Sequence, residues 1–400
     1  MNNRGMYTLS AYYFVSFIAM GFSTFASKYF AQIGLSGSQI GLLTSVPALV
    51  SMFFMPMWGA LSDRVPLKKL VVAGTMSLAA ILLFFVDGMT DFSKLGAGTP
   101  DASATRFLPL LFLLILNAFF GQAANPTVTS IALEYTNARG MSFGPIRMMG
   151  TIGYQIGALA IGFICTTSLR HLYTNQAIGF LAAALVSLAL PNVRGHQFGV
   201  KKLSPFKALG DRRILILLAL VLVGTCTTMF YLSFFGAYLE EMGVSNRIAS
   251  LITWVSVFLE IPVLLYASRI MRHLSIWRWL IVGYALNGLR WLGFVLAHSL
   301  GSWQILLVAQ IPAVSAMACF EFFPALYIGK IVAPELSGSA QTLLTLTSFG
   351  IAKVIGSLLG GFVSDAVGMR AIFLFFGILL LVAAVALFPL CRKLTRSEVG

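Results

Sequence analysis

The chain has 400 residues, of which 58% are hydrophobic and only 10% charged, with a formal net charge of +14 and a mean hydropathy of +0.89. Soluble domains carry roughly 25% charged residues, so this composition excludes a water-soluble globular protein and specifies an integral membrane protein. Its apolar runs are continuous and about 20 residues long, which excludes the short alternating segments of a β-barrel and reads as helices crossing a core of roughly 30 Å.

In chain order the runs predict twelve spans, at about 7–30, 38–61, 68–87, 107–134, 143–167, 174–191, 213–238, 248–268, 276–297, 303–329, 337–363 and 371–390. The first follows a single Arg4 and lacks a small-residue cleavage site, so it is expected to remain as a helix and not to act as a cleaved signal. The loop 88–106 is long and Gly-rich, and carries Asp91 and Asp101. The stretch 192–212 is polar, contains Gly195, Ser204 and Pro205, and divides the spans six and six. The expected organisation is therefore a bundle over 1–191, a cytoplasmic linker over 192–212 and a second bundle over 213–400. Cys165, Cys226, Cys319 and Cys391 show no metal spacing and no disulfide framework, and are expected to be packing residues.

Charge sets the orientation. With both termini in the cytoplasm, 18 of the 27 Lys and Arg residues fall in cytoplasmic segments, five fall outside, and Lys28, Arg147, Arg290 and Lys353 lie within spans. This bias is the positive-inside pattern. The basic charge thus serves topology and anionic headgroups of the bilayer, and no nucleic-acid partner is needed to explain it.

A charge inside a span costs about 2.5–3.5 kcal/mol at helix centre, so each needs a reason. Glu260 lies near the middle of span 8. It can take up and release a proton, accept hydrogen bonds from sugar hydroxyls, or form a buried pair orienting span 8 against spans 5 or 11. Glu321, in span 10, is either a second proton site or the partner of Lys353 in span 11. Glu134, Asp87 and Asp365 lie at span ends. Arg147 keeps its proton and can clamp a carboxylate, a carbonyl or a hydroxyl; alternatively it snorkels and pairs with Glu134. Thr151, four residues on, shares its helix face. Lys28 is expected to snorkel to the outer surface. Arg290, in span 9, calls for a structural partner or an inward rotation.

Other features are uncharged. Tyr231, Phe234 and Phe235 in span 7, and Phe320, Phe323 and Tyr327 in span 10, offer faces for flat ligands or simply pack. Asn125-Pro126 interrupts span 4 and either exposes polar groups to a cavity or kinks the helix. Gly150, Gly153 and Gly157 in span 5 let that helix approach a neighbour closely, and span 11 mirrors them with Gly350, Gly356, Gly360 and Gly361. The four histidines have no ligand spacing and no phosphate loop is present. Neither an enzyme nor an ATP-driven pump is expected, and no metal or other cofactor.

The motif GALSDRVPLKK (Gly59–Lys69) resembles the loop signature of the major facilitator superfamily, Gly-x-Leu-x-Asp-Arg followed by basic residues, with Pro66 where that family has glycine. The segment Ala267–Arg278 keeps the basic residues of a second copy without its acid. Within that family, GPIRMMGTIGY (Gly144–Tyr154) and LEIPVLL (Leu259–Leu265) resemble spans 5 and 8 of the nucleoside:proton symporter and phenylpropionate-permease branch. Drug-efflux branches are less favoured, because their Gly-Pro pair lies deep in span 5, whereas Gly144-Pro145 is at its mouth.

The resemblance implies an all-α membrane protein of twelve transmembrane helices in two six-helix bundles, built as parallel repeats. Spans 1, 4, 7 and 10 would line a central cavity, while spans 3, 6, 9 and 12 face lipid. It implies substrate-site roles for Arg147 and Thr151; with the residues read above, the expected substrate-binding set is Arg147, Thr151, Glu260, Tyr231, Phe235, Phe323, Tyr327 and Asn125, with proton coupling by Glu260 and Glu321. Gly59, Asp63 and Arg64 would form a conformational loop, and the span-5 glycines would slide on a helix of the other half. The expected function is proton-coupled import of a small organic substrate by a monomer in a bacterial inner membrane. A nucleoside is the expected cargo, with an aromatic acid or a sugar as alternatives. A transport-inactive membrane sensor is the reading from a different class.

Overall fold

The computed structural model describes residues 4–62, 64–65, 67–90, 105–192, 212–259, 266, 269–270, 273–332, 340–341 and 343–399. The described chain is helical throughout, apart from turns and one isolated bridge between Thr90 and Thr105. Helices α1 (Arg4–Phe22) and α2 (Ala26–Gln32) are joined by a 3-10 turn over Ser23–Phe25. They are followed by α3 (Gly37–Ser62), α4 (Lys68–Val86), α5 (Phe107–Asn137), α6 (Gly144–Ile164) and α7 (Leu172–Ser187). Next come α8 (Arg212–Glu241), α9 (Asn246–Phe258), α10 (Ile276–Ser299), α11 (Trp303–Ala309), α12 (Ala313–Met317) and α13 (Phe323–Ile331). The chain ends in α14 (Gly360–Val367), α15 (Met369–Ala386) and α16 (Phe388–Val399). Among the described residues, nine helical stretches are long and apolar enough to cross a membrane; α7 is apolar but shorter.

Exposed large apolar side chains recur every three or four residues on single helix faces. They are Leu78, Ile81 and Phe85 on α4, Ile178, Leu181 and Leu185 on α7, and Phe375, Ile378, Val382 and Val385 on α15. Water would not tolerate such stripes, whereas acyl chains are as apolar as leucine.

The chain divides into two compact units, Met1–Gly199 with Leu239–Leu251, and Val200–Tyr238 with Ile252–Gly400. In the first unit α1 packs on α6 and α7, α4 on α5 and α7, and α3 on α5. The glycine ladder of α6 explains the first contact. A Cβ at Gly153 would strike the backbone oxygen of Phe14, and one at Gly157 that of Ile18. The ladder therefore joins α6 to α1, two helices of the same half. The expected sliding contact with the other half is corrected on this point: an α1 backbone carbonyl occupies the space left at Gly153 and at Gly157, and the Phe17 and Tyr13 rings of α1 fill that at Gly150.

Lys28 also departs from expectation. It does not snorkel; it is 1% exposed. Its ammonium donates to Glu240 Oε2 at 2.6 Å and to the Val244 carbonyl at 2.7 Å, and Gln32 Nε2 donates to the same carboxylate oxygen at 3.2 Å. Asn246 Nδ2 donates to the Cys165 carbonyl at 2.6 Å. The segment Leu239–Leu251 is thus tied to α2 and to the end of α6. A carboxylate from a distant part of the sequence compensates the desolvated ammonium, so the side chain need not reach water.

In the second unit α10 packs on α15, α11, α12 and α16. The last part of the chain repeats the glycine device. A Cβ at Gly356 would meet the Cys226 carbonyl of α8 at 2.5 Å, and one at Gly360 the Phe230 ring at 2.5 Å. The core is aromatic: Phe230 stacks on Phe234 with centroids 4.8 Å apart, and Phe294 and Phe373 lie 5.2 Å apart. Three π-helical turns interrupt this unit, at Ala318–Phe322, Leu346–Ile351 and Val354–Leu359. All four cysteines are free thiols, three of them buried.

Candidate substrate site

The first unit contains a cavity of about 680 Å³ lined by Met55, Asn125, Pro126, Thr129, Ser130, Leu133, Glu134, Asn137 and Arg147. Its polar wall follows from spacing. Asn125, Thr129, Leu133 and Asn137 recur every four residues on α5, with Pro126, Ser130 and Glu134 alongside, so they share one face. Pro126 lies inside the continuous helix α5, and the Thr129 hydroxyl donates to the Asn125 carbonyl at 2.8 Å.

Two charged centres meet this wall. Glu134 Oε1 accepts from Lys68 Nζ at 2.7 Å and from Ser130 Oγ at 3.0 Å, and Lys68 also donates to Ser130 at 2.8 Å. Lys68 is 1% exposed and Glu134 30%. Arg147, at the start of α6, is exposed. Its guanidinium lies 4.6 Å from the Phe17 ring centroid and 5.9 Å from that of Tyr13, and the Tyr13 hydroxyl is 3.0 Å from Thr129 Oγ1. Among the described residues Arg147 makes no ion pair. The anticipated Arg147–Glu134 pair is therefore not formed, because Lys68 already neutralises the carboxylate. The cavity keeps one uncompensated guanidinium beside hydroxyl and amide groups. Such a wall can hold a carboxylate, or the carbonyls and hydroxyls of a neutral polar molecule. Thr151 is exposed one turn further along α6 and does not line this cavity.

The second unit holds the other predicted residues. Tyr231 and Phe235 of α8 are each 6% exposed, with ring centroids 4.7 Å apart. Phe323 packs on Trp279 at 5.1 Å and Tyr327 on Trp277 at 5.9 Å, so both spend ring surface on α10. Phe234 is fully buried against Phe230, and Phe320 lies 5.6 Å from Tyr284. Glu321 sits within the π turn Ala318–Phe322 and, among the described residues, has no hydrogen-bond or ion-pair partner. Lys353 immediately precedes the π turn Val354–Leu359 and donates to Ser233 Oγ at 2.7 Å. The structure does not pair Glu321 with Lys353, since the ammonium finds a hydroxyl on α8. π turns concentrate at functional sites because they turn one residue out of the regular ladder.

Arg290 is 2% exposed; its Nη2 donates to Gln310 Oε1 at 2.6 Å, and its guanidinium lies 4.2 Å from the Tyr231 ring centroid. Inward rotation and a structural partner both apply. Lys68, Ser130, Asn137 and Gln310 escaped the sequence reading. Lys68 reads as a topological charge and as part of the basic cluster of the Gly59–Lys69 motif, not as a partner of Glu134, and Gln310 is an uncharged amide in an apolar run. Glu260 and Asp63 lie outside the described residues, Gly59 is in α3, and Arg64 is exposed beyond its end.

Apolar membrane-crossing helices in both units, with charges embedded among them, define a multi-pass membrane protein, and the proteins that it resembles are transporters, not enzymes. The chain belongs to the MFS_1 like family, whose model matches residues 6–375. It is 25% identical to the uncharacterized transporter YwbF of Bacillus subtilis (strain 168), over 98% of this chain and 93% of that protein. It is 24% identical to the maltose permease of Geobacillus stearothermophilus, over 96% and 93%, and to the nucleoside permease NupG of Escherichia coli (strain K12), over 85% and 82%. A solved structure of a nucleoside transporter NupG superposes with a TM-score of 0.82 at 18% identity, covering 97% of this chain and 99% of that one. This likeness establishes the fold.

Proposed function

We propose that the protein is a proton-coupled secondary active transporter that imports a nucleoside by alternating access. In this reading twelve spans form two bundles, 1–191 and 213–400, joined by a cytoplasmic linker over 192–212. The protein works as a monomer in a bacterial inner membrane with both termini in the cytoplasm. One observation carries the proposal: Glu321, the one acidic residue of the membrane stretch Trp303–Ile331, stands in a π turn with no partner among the described residues. A carboxyl group kept there without a cation has a use that its cost demands, and proton uptake is the simplest.

The cycle follows from the side chains. Cargo enters from outside, and the Arg147 fork donates to its carbonyl or hydroxyl oxygens while Thr151 and Asn125 add polar contacts. The rings of Tyr231, Phe235, Phe323 and Tyr327 stack on a flat base. Protonation of Glu260 and Glu321 neutralises the site and allows the outer side to close. Opening inward releases cargo and proton together. The loop bearing Gly59, Asp63 and Arg64 makes and breaks its ion pairs between states. A neutral nucleoside is favoured over an aromatic acid, because an anion opposite these glutamates requires their prior protonation. A sugar is the second reading, supported by the hydroxyl and amide wall around Asn125 and Asn137 and by the likeness to maltose permease.

Uptake of labelled uridine and adenosine into proteoliposomes, with and without an inward proton gradient, tests the proposal. Wild-type uptake is expected to follow the gradient. Glu260→Gln and Glu321→Gln are each expected to lose accumulation and retain exchange. Uptake indifferent to the gradient would remove proton coupling. Uptake of maltose or phenylpropionate, and of neither nucleoside, would replace the cargo.

A further inference from the structure

The interior of the second unit contains a directed hydrogen-bond chain. Gln310 is 0% exposed, and it stands between Arg290 and Tyr231. Arg290 Nη2 donates to Gln310 Oε1 at 2.6 Å, and Gln310 Nε2 donates to the Tyr231 hydroxyl at 2.9 Å. Chemistry dictates the direction. A guanidinium only donates, so the amide must turn its oxygen toward Arg290 and its NH₂ toward Tyr231. The phenol oxygen therefore accepts, and the phenol hydrogen is left to spend elsewhere. No described residue accepts it.

The geometry holds this arrangement firmly. The guanidinium lies over Tyr231 at 4.2 Å and over Trp291 at 4.5 Å, and the Tyr231 ring is backed by Phe235 and Trp291, 4.7 and 5.4 Å away. A nearly buried donor with no acceptor among the described residues points to an acceptor from outside the fold.

We infer that Arg290 is a positioning residue for cargo recognition. Acting through Gln310, it makes the Tyr231 hydroxyl a dedicated donor to an acceptor oxygen or nitrogen of a polar organic cargo, such as a carbonyl or ring nitrogen of a base. This rests on the assignment of Tyr231 to the cargo site made above. It adds a specificity rule: at this position the site selects cargo that accepts and discriminates against cargo that only donates.

Gln310→Glu reverses the chain without removing it. The new carboxylate still receives the Arg290 bond but has no hydrogen to give, so Tyr231 must donate to it. The phenol C–O stretching band, read by infrared spectroscopy with ring-deuterated tyrosine and assigned by Tyr231→Phe, moves in opposite directions when the hydroxyl accepts and when it donates. This readout needs no cargo. The wild type is expected to show the accepting band, Gln310→Glu the donating band, and Arg290→Gln a mixture as the amide becomes free to flip. Uridine affinity is expected to fall about tenfold in Gln310→Glu and in Tyr231→Phe, the scale of one lost hydrogen bond, with the unfolding temperature of Gln310→Glu maintained.

A purely structural role predicts unchanged affinity in Gln310→Glu. That result, or a wild-type band already in the donating position, would overturn the inference. If the bands move as expected but the wild type binds no uridine, the nucleoside assignment falls and the directed chain stands.

Discussion

Arg147 and Glu134 line one cavity, yet the ion pair there belongs to Lys68 and Glu134. Lys68 is held at the first residue of α4, fully buried, with Ser130 and Glu134 both within its reach. Among the described residues Arg147 is thereby left without an ion pair, as its proposed role in holding cargo requires. Lys68→Met should release Glu134 to capture Arg147 and weaken uridine binding about tenfold, one charge-assisted contact. Adding Glu134→Gln should restore most of that loss, because the competing carboxylate disappears. Equilibrium binding of the two variants measures this coupling, and additive losses would refute it. Arg147 and Glu321 were legible because a charge in an apolar run is conspicuous by its cost. Lys68 was not, since a lysine at a cytoplasmic span end is already explained by topology. Gln310 left no trace, since an amide barely changes hydropathy. The distant partner of Lys28, Glu240, could not be found by reading one helix at a time.

At the scale of elements, close helix approach is written in glycines, although their partners are not. The ladder on α6 was visible; that it seats on α1 depends on which backbone carbonyls fill the gaps. Gly153→Leu should therefore separate α1 from α6 and lower the unfolding temperature sharply. Gly74→Ala, in α4 with nothing within 4 Å of its new Cβ, should be neutral or stabilising by about 0.5–1 kcal/mol. Thermal unfolding in detergent of the two variants side by side checks the contrast, and equal effects would contradict it. The second element-scale contact is the anchoring of Leu239–Leu251. Lys28→Met leaves Glu240, one third exposed, without its cation, and should cost about 3 kcal/mol, the lower end for a broken buried pair. Lys28→Met with Glu240→Met should cost less than Lys28→Met alone, which the same melts would show. The π turns had no counterpart in the sequence, because a shift from i+4 to i+5 bonding leaves no residue pattern.

For the whole molecule, apolar run length was sufficient for a helical membrane protein, because lipid constrains backbone and charge more strictly than water does; the transporter reading needed the motifs at Gly59–Lys69 and Gly144–Tyr154 as well. The same glycine-on-backbone contact occurs in both units, at Gly153 against Phe14 and at Gly356 against Cys226, as expected of an internal repeat. Cargo identity was less legible, because it depends on a few polar groups whose placement no spacing rule reveals. The central claim is that cargo and proton move together. The most direct measurement loads proteoliposomes with a pH indicator, imposes no starting gradient, and adds uridine outside. The account predicts that the lumen acidifies as uridine enters, and that Glu321→Gln abolishes the signal. Uridine entry with no change in luminal pH would contradict it.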